Sequence, residues 1–325
     1  MRVAIVGAGM SGLAAGRLLK SSGHDVVIYE KAACVGGRVA TQTVGPYIFD
    51  SGATSIAPRG MSIEHAMLEE LDTADLVRIV KPIYTHYALR VSGGDVAKAK
   101  VPRYAYANGN NTLARLLAAN LEVRLNSQVE EIDKHHNQYA IGDERYEALI
   151  LTPPIPQTSA LLWSLGESRP VANSSYRACI TVLLGFDHEL PPQHYHALLD
   201  ADQQHPLTWL CIETEKCAGR APHGHTAMVA QLNGPYSMSH FSAPDNDAVS
   251  LVLGFLSRLY GPGWDAPVAA AVKRWRYSQP EGLAYFDSVN RPGSTLLIAG
   301  DGLVGGRTEQ AFESGVRVAK LLIAR

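Results

Sequence analysis

The chain has 325 residues, of which 46% are hydrophobic and 18% are charged, and its formal net charge is −2. This composition is typical of a globular protein with one large domain or two smaller ones, and it excludes a disordered or collagen-like chain. The near-neutral charge, without a basic stripe or an acidic tail, argues against nucleic acid and anionic membrane surfaces as partners. We therefore expect a small-molecule ligand.

The N-terminus combines an apolar strand over 3–6 with a glycine-rich turn and a helical pattern. Gly7, Gly9 and Gly12 take the three positions where a sharp turn, close approach to a diphosphate and helix–strand packing each require glycine. The free N–H groups of the helix N-terminus would bind that diphosphate. Glu30 ends a second apolar strand over 26–29, where its carboxylate would accept hydrogen bonds from both ribose hydroxyls. Together these features predict an adenine dinucleotide site.

The rest of the chain alternates between helical and strand-like patterns of apolar residues. The predicted elements, in chain order, are a short strand from 47 that ends in Asp50-Ser51-Gly52-Ala53, a helix over 63–72, strands within 76–106, a turn at 108–111 that caps a helix over 112–119, strands over 121–125 and 129–132, a hairpin around 142–143, strands over 148–152, 179–186, 207–212 and 226–233, a helix over 246–259, a strand over 295–299 and a helix over 308–323.

This order begins with strand, helix and strand, continues through a long excursion, and closes with strand, turn and helix. Such a closing unit usually completes the sheet that the N-terminus began. We therefore predict an α/β protein with a discontinuous cofactor domain, residues 1–75, 107–160 and 283–325. An inserted α+β substrate domain with a mixed or antiparallel sheet would comprise residues 76–106 and 161–282.

Two further glycine motifs favour FAD over a nicotinamide cofactor. Gly36-Gly37-Arg38 offers a second backbone clamp for a diphosphate, with an arginine that can neutralise phosphate charge or lie against the flavin. Gly300-Asp301-Gly302 precedes the last helix, so that Asp301 can bond the ribitol and the helix N-terminus can stabilise negative charge on the reduced ring.

Four cysteines lie at irregular spacings, with no C-x-x-C pair. This argues against a zinc site and against a disulfide framework, so we predict reduced thiols, no metal and a cytoplasmic location. No stretch of about eighteen apolar residues occurs in the sequence, so no membrane-spanning segment is predicted.

The chain resembles the flavin amine-oxidase superfamily, and within it the renalases. The resemblance rests on the segments VGAGMSGL, YEKAACVGGRVAT, FDSGATS, ALILTPPIPQTSALL, RWRYSQP and IAGDGLVGGRTEQAFESG. It implies noncovalent FAD in the p-hydroxybenzoate-hydroxylase topology, and oxidation of 2- or 6-dihydro isomers of NAD(P)H to NAD(P)+ while O2 is reduced to H2O2. It also implies that Ser11, Arg38, Thr54 and Ser55 contact FAD. At Thr54 and Ser55 family members commonly carry an aromatic residue or glutamine, and bacterial ones often carry tryptophan at Gly302.

The complete predicted FAD-binding set combines the motif residues with positions from the resemblance. It comprises Gly7, Gly9, Ser11, Gly12, Glu30, Lys31, Gly37, Arg38, Thr54, Ser55, Val129, Gly300 and Asp301.

The substrate side carries fewer signals. Gln231 is a polar residue in an apolar strand, where it faces a cavity or is a satisfied core amide, and Trp275 and Arg276 stand just before the chain returns to the cofactor domain. These three are the candidate catalytic residues. Four tyrosines could wall an aromatic pocket: Tyr84, Tyr87, Tyr236 and Tyr285.

Three other functions stay open at this point. An amine oxidase would hold a neutral amine near the flavin, often with a lysine-bound water, and Lys98 and Lys100 lie in the predicted substrate segment. A nonenzymatic flavin-binding redox protein would bind FAD without turnover, and a nicotinamide dehydrogenase would bind no flavin.

Overall fold

The computed structural model describes residues 1–87, 89–95, 100–202 and 204–325. Its strands are β1 (Arg2–Val6), β2 (Asp25–Tyr29), β3 (Thr41–Val44), β4 (Tyr47–Asp50), β5 (Leu76–Arg78), β6 (Ile83–Tyr87), β7 (Arg90–Ser92), β8 (Tyr104–Tyr106), β9 (Glu122–Arg124), β10 (Asp133–His135), β11 (Gln138–Ile141), β12 (Glu144–Tyr146), β13 (Ala148–Leu151), β14 (Tyr176–Phe186), β15 (Ala197–Asp200), β16 (Leu207–Ile212), β17 (Thr226–Leu232), β18 (Ala269–Pro280) and β19 (Leu296–Ile298). Its helices are α1 (Met10–Ser21), α2 (Met61–His65), α3 (Asn111–Ala118), α4 (Ile155–Ser164), α5 (Glu213–Lys216), α6 (Gly234–Ser239), α7 (Asp245–Tyr260), α8 (Phe286–Val289) and α9 (Thr308–Ile323). A π-helical turn, Ala66–Glu70, continues α2, and a 3-10 turn, Asp301–Leu303, follows β19.

A parallel five-stranded sheet, ordered β19-β13-β1-β2-β9, forms the first half of the fold. Its central strands are almost continuously apolar because helices cover parallel sheets on both faces. Strand β19 pairs with β13, which in turn pairs with β1, so Leu297, Ile150 and Ile5 lie side by side. The prediction that the C-terminal strand completes the N-terminal sheet is confirmed.

A mixed seven-stranded sheet, ordered β18-β14-β17-β16-β15-β6-β7, forms the second half. Successive side chains point to opposite faces of a strand. One face therefore packs against α7, with Val182, Met228 and Val252 in one buried cluster. The other face packs against β4, where Tyr47 and Phe49 meet its buried residues. This second face lies towards the parallel sheet and contributes to the candidate site.

Most predicted elements are confirmed with ends shifted by a few residues, and the strand predicted over 129–132 is wrong. That segment pairs with no strand, because after β9 the chain turns at Asn126 with φ +53° and crosses the loop after β2. Apolar residues at its two ends suggest a strand, but a strand also needs a partner. The division into a cofactor domain and an inserted substrate domain stays a prediction. Among the described residues, no helix has the length and apolarity that crossing a bilayer requires.

Candidate functional site

The turn between β1 and α1 leaves room for a ligand at one glycine and is tightly packed at another. Gly7 has φ +101° and donates its N–H to the carbonyl of Tyr29 at 2.8 Å. A Cβ on Gly12 would lie 2.0 Å from the carbonyl oxygen of Gly7, so helix and turn pack without a side chain there. A Cβ on Gly9 would meet nothing within 4 Å. Open space beside the helix N-terminus fits a diphosphate.

Glu30 ties the turn to the end of β2. Its carboxylate accepts hydrogen bonds from the N–H groups of Ala8 at 2.8 Å and Ala32 at 2.9 Å, and the residue is 8% exposed. Each carboxylate oxygen can accept a second hydrogen bond, so binding of the ribose hydroxyls stays a prediction. The Ser127 N–H donates to the Glu30 carbonyl, which brings the segment that contains Val129 to this end of the site. Lys31 is exposed.

The second glycine motif packs directly on the first. Gly36 has φ +112° and donates to the Ala8 carbonyl at 2.9 Å, and it forms a bridge with Gly9. A Cβ on Gly37 would lie 3.5 Å from the Cα of Gly9. The two motifs therefore form one backbone-lined surface beside the open space at Gly9.

Arg38 joins this surface to the C-terminal turn. Its guanidinium binds both carboxylate oxygens of Asp301, at 2.5 and 2.9 Å, and donates to the carbonyl of Ser278 at 3.0 Å. The hydroxyl of Tyr176 donates to the same carboxylate at 2.8 Å. Burial, together with the Asp301 charge, raises the pKa of Tyr176, so this hydroxyl stays protonated and remains a donor. The Asp301 side chain is only 6% exposed, against 31% for Arg38.

The C-terminal turn is shaped by two glycines. Gly300 has φ +137°, a conformation that favours glycine, and its N–H donates to the Ser314 hydroxyl at 3.0 Å. A Cβ on Gly302 would lie 2.6 Å from the Tyr176 hydroxyl, so Tyr176 occupies the space that a larger residue at 302 would need. This contact accounts for glycine at a position where the resemblance leads one to expect tryptophan.

Helices α1 and α9 pack against each other at their N-terminal ends. The Ser11 hydroxyl donates to the Ala311 carbonyl at 2.6 Å, and a Cβ on Gly315 would lie 2.0 Å from the Ser11 carbonyl oxygen. Both helix N-termini therefore lie at the same end of the parallel sheet. The Ser11 side chain bonds α9, and its predicted contact with FAD stays a prediction.

The segment after β4, residues 51–55, crosses the seven-stranded sheet, and we call it the β4 loop. The Gln231 amide donates to the Gly52 carbonyl at 2.8 Å, and the Trp275 indole donates to the Ser51 carbonyl at 3.0 Å. On its other side the Ala53 N–H donates to the Arg38 carbonyl at 3.0 Å. The loop that contains Thr54 and Ser55 is thus fixed from both sides, and two of the three candidate catalytic residues contact it directly.

Arg276 points away from this loop. It follows Trp275 in β18, and neighbouring residues of a strand face opposite ways. Its guanidinium lies 4.6 Å from the ring centroid of Phe241, on the α7 side of the sheet. The structure therefore does not bring Arg276 together with Gln231 and Trp275.

The four tyrosines proposed for an aromatic pocket are not gathered at the β4 loop either. The ring of Tyr84 lies tilted against that of Tyr195, and Tyr236 stacks on His240; both tyrosines pack with the α7 side of the sheet. Tyr87 and Tyr285 are exposed.

A fully buried cluster of four charged residues contacts the β4 loop at the Thr54 carbonyl. Lys216 Nζ lies 2.7 Å from Asp50, 2.6 Å from Glu213 and 3.0 Å from the Thr54 carbonyl. Arg220 lies 2.7 Å from Asp50. All four charged side chains have no exposed surface. The sequence gives no sign of this cluster, because Glu213-x-x-Lys216 reads as a solvated helical pair.

The two carboxyl groups of the cluster respond to burial in opposite ways. Burial would raise the pKa of Asp50, but the charges of Lys216 and Arg220 outweigh it and hold that pKa below its usual value. Burial dominates at Glu213 and raises its pKa. Asp50 is therefore the firmly ionised partner, and it also accepts from the Asn110 N–H and the Thr41 hydroxyl.

No metal centre is apparent in the described part of the chain. No group of three or more His, Cys, Asp or Glu side chains meets there in a way that could hold a metal ion. The described cysteines are free thiols, with Cys34 exposed and Cys179, Cys211 and Cys217 buried. Lys100 is exposed, and Lys98 lies outside the described residues.

Comparison with known families identifies the class of protein. Residues 82–323 match the family of flavin containing amine oxidoreductases, and residues 5–71 match the NAD(P)-binding Rossmann-like domain. The chain belongs to the flavin-containing amine oxidoreductase family. Its cofactor is therefore FAD, and the protein is a flavin oxidoreductase. The glycine surface, the open space at Gly9 and the Arg38–Asp301 pair fit this cofactor.

Solved structures share the fold of this flavin oxidoreductase at low sequence identity. A putrescine oxidase bound to putrescine superposes with a TM-score of 0.78 at 15% identity, covering 100% of both chains. Cyclohexylamine oxidase from Brevibacterium oxydans IH-35A gives a TM-score of 0.76 at 14% identity, covering 99% of this chain and 98% of that one. An oxidoreductase from Methanosarcina mazei gives 0.75 at 14% identity, covering 98% and 100%.

Similarity to curated sequences is short by comparison. A 4,4'-diapophytoene desaturase from Staphylococcus aureus strain Newman is 43% identical over 56 residues, which is 17% of this chain and 11% of that protein.

Proposed function

We propose that this flavin oxidoreductase oxidises 2- or 6-dihydro isomers of NAD(P)H to NAD(P)+, as the resemblance to renalases implies. Bound FAD would supply the hydride acceptor, and O2 would take up the equivalent of this hydride (two electrons and one proton) together with one proton from solvent as H2O2. A dihydropyridine already carries a transferable hydride, so the protein has to orient the substrate rather than supply a strong base.

The observation that carries the proposal is the charge on the face of the seven-stranded sheet that contacts the β4 loop. Thr181 lies opposite both Gln231 and Lys273 in the antiparallel register, so the three share that face. Lys273 Nζ lies 5.1 Å from the ring centroid of Trp275. No strand residue on this face, among those the structure describes, is an aspartate or glutamate. The face offers hydrogen-bond donors and positive charge.

Oxidation of a small amine is the second candidate. The family match and the shared fold of putrescine oxidase and cyclohexylamine oxidase favour it. A free amine is an ammonium ion at neutral pH, however, and Lys273 would repel it. Asp50 and Glu213 are the nearby acids, but both are buried below the loop with Lys216 and Arg220 as partners.

Anaerobic mixing of the FAD-loaded protein with candidate donors separates these functions. We expect the 2- or the 6-dihydro isomer of NAD(P)H to bleach the flavin rapidly, with ordinary NADH slower and amines without effect. If neither isomer bleaches the flavin while an amine does, and that amine releases peroxide steadily once O2 is admitted, the proposal is wrong and amine oxidation takes its place.

The predicted FAD-binding residues and the two-domain division are proposals of the same kind. We infer that Gln231 and Trp275 position the flavin through the β4 loop, because each holds a loop carbonyl and thereby orients the neighbouring N–H groups. They act as positioning residues under this proposal.

A further inference from the structure

Three arginines from separate segments converge beside the β4 loop, and we call Arg59, Arg103 and Arg307 the arginine cluster. Arg59 follows the loop closely, and Arg307 immediately precedes α9; both line one cavity of about 410 Å³. Arg103 lies on the neighbouring chain segment, because Tyr104 and Ile56 exchange backbone hydrogen bonds of 2.9 and 2.8 Å. All three therefore border segments that are predicted to contact FAD.

The positive charge of the cluster is not balanced by its surroundings. Arg103 is half-buried, and its burial and the charges of Arg59 and Arg307 lower its pKa. Among the described residues, no carboxylate lies within ion-pairing distance of Arg103. Glu309 is the acid whose charge acts on it, and Glu309 lies 3.9 Å from Arg307. Glu309 is thus the one carboxylate in the described part of the chain that pairs with any of these three cations.

The other charged groups of the cavity are already engaged. The Glu313 carboxylate accepts from the Ser62 N–H at 2.9 Å, the Ser62 hydroxyl at 2.8 Å and the Ile63 N–H at 3.1 Å, so it caps α2. Arg317 pairs with Asp287 at 2.6 Å. Arg317 and Asp287 cancel each other, whereas the donors to Glu313 are neutral groups and leave its negative charge in the cavity. Three arginines against Glu309 and Glu313 leave a local charge of about +1.

Guanidinium groups that are gathered without counterions repel one another, and a bound dianion removes that cost. We propose that the arginine cluster binds the phosphate groups of the substrate. This rests on the proposed function, and it places the diphosphate of the dinucleotide substrate against the positive charge that remains at the cluster. An uncharged nucleoside or an amine would leave the cluster unpaired. The diphosphate of FAD itself is assigned to the open space at Gly9, which is a different location.

A binding experiment tests the cluster without turnover. FAD-loaded protein is titrated calorimetrically with ADP-ribose, with inorganic pyrophosphate and with adenosine, for the wild type, Arg59→Gln, Arg307→Gln and the control Arg317→Gln. We expect ADP-ribose to bind the wild type. We also expect its Kd to rise about tenfold or more in either cluster variant, the scale of a lost charge-assisted hydrogen bond. Arg317→Gln lines the same cavity and loses the same charge, yet should change Kd by less than about threefold, the scale of an exposed ion pair.

Competition distinguishes phosphate on the substrate from free phosphate. Pyrophosphate should displace ADP-ribose, and adenosine should bind equally weakly to all variants. If pyrophosphate binds beside ADP-ribose without displacing it, the cluster takes a free anion and the assignment to substrate is overturned. The assignment to substrate is also overturned if neither anion binds, if neither cluster variant weakens binding, or if both variants lose their FAD.

A kinetic comparison links the cluster to the reaction. The active dihydro isomer of NAD is compared with the matching dihydronicotinamide riboside, which lacks phosphate, in anaerobic flavin reduction. The cluster variants should need about tenfold more dinucleotide for half-saturation while their response to the riboside is unchanged. Equal losses with both donors would mean a structural role and overturn the inference. Failure of both donors with the wild type would reject the proposed function and leave the calorimetric result standing.

Discussion

Lys216 is the side chain on which the buried charge cluster below the β4 loop depends most. Its ammonium contacts Asp50, Glu213 and the Thr54 carbonyl within 3.0 Å, and its side chain has no exposed surface. Lys216→Met keeps most of the volume but leaves two carboxylates facing one guanidinium. We expect a loss of about 3–5 kcal/mol in unfolding free energy, the range for a buried ion that loses its partner. Because burial already raises the pKa of Glu213, this carboxyl can take up a proton in the variant, and the loss should shrink at lower pH.

A double variant separates unbalanced charge from lost packing. Lys216→Met combined with Glu213→Leu removes one charge of each sign and leaves the neutral Asp50–Arg220 pair, so roughly half or more of the loss should be recovered. Denaturant and thermal unfolding of the FAD-loaded proteins, followed by tryptophan fluorescence, measure both. Lys320→Met, on the exposed side of α9, is the control for loss of a lysine. If the double variant is as unstable as the single one, uncompensated charge is not the cause and the reasoning fails.

Three further outcomes are expected. Gln231→Leu and Trp275→Phe each free one carbonyl of the β4 loop and should weaken FAD binding by about 1 kcal/mol, the net value of a hydrogen bond. Fluorescence titration of the apoprotein with FAD measures this change. Unchanged affinity would show that the loop keeps its position without these two side chains. Glu30→Ala should cost about 1–3 kcal/mol in the same titration if the carboxylate binds the ribose. Hydrogen bonds from Tyr146 and Arg124 lower the pKa of Glu144 from 4.5 to about 2, so its contribution to stability is present above pH 4.5 and is lost as the pH falls towards 2. The unfolding midpoints of wild type and Glu144→Gln should therefore converge over that range, and a constant difference would contradict this assignment.

Local backbone chemistry made the turn between β1 and α1 predictable from the sequence. Gly7 and Gly12 owe their places to turn geometry and close packing among neighbours in the chain, and the structure shows both. The role of Gly9 at a diphosphate stays a prediction. Contacts between residues that are far apart in the chain were harder to predict from the sequence. Arg38 and Asp301 were each predicted at the cofactor, but their direct ion pair joins residues 263 positions apart. The pattern of hydrophobic residues along the chain does not predict such a contact.

The substrate side shows what a finer use of periodicity could have found. Trp275 and Arg276 are neighbours in a strand, so they face opposite sides, and alternation alone could have separated them. The buried cluster of Asp50, Glu213, Lys216 and Arg220 had no such signal, because charged residues are seldom fully buried and become so only when a distant segment supplies their partners.

The Arg38–Asp301 pair also has a consequence for biosynthesis. Arg38 is synthesised 263 residues before Asp301, and long before strand β19, which pairs with β13 at the edge of the parallel sheet. Until they arrive, Arg38 lacks its carboxylate partner and the nucleotide-binding sheet lacks its edge strand. The Arg38–Asp301 pair therefore forms only after synthesis has reached residue 301, and a translation product that stops before β19 would lack both this pair and the edge strand of the sheet.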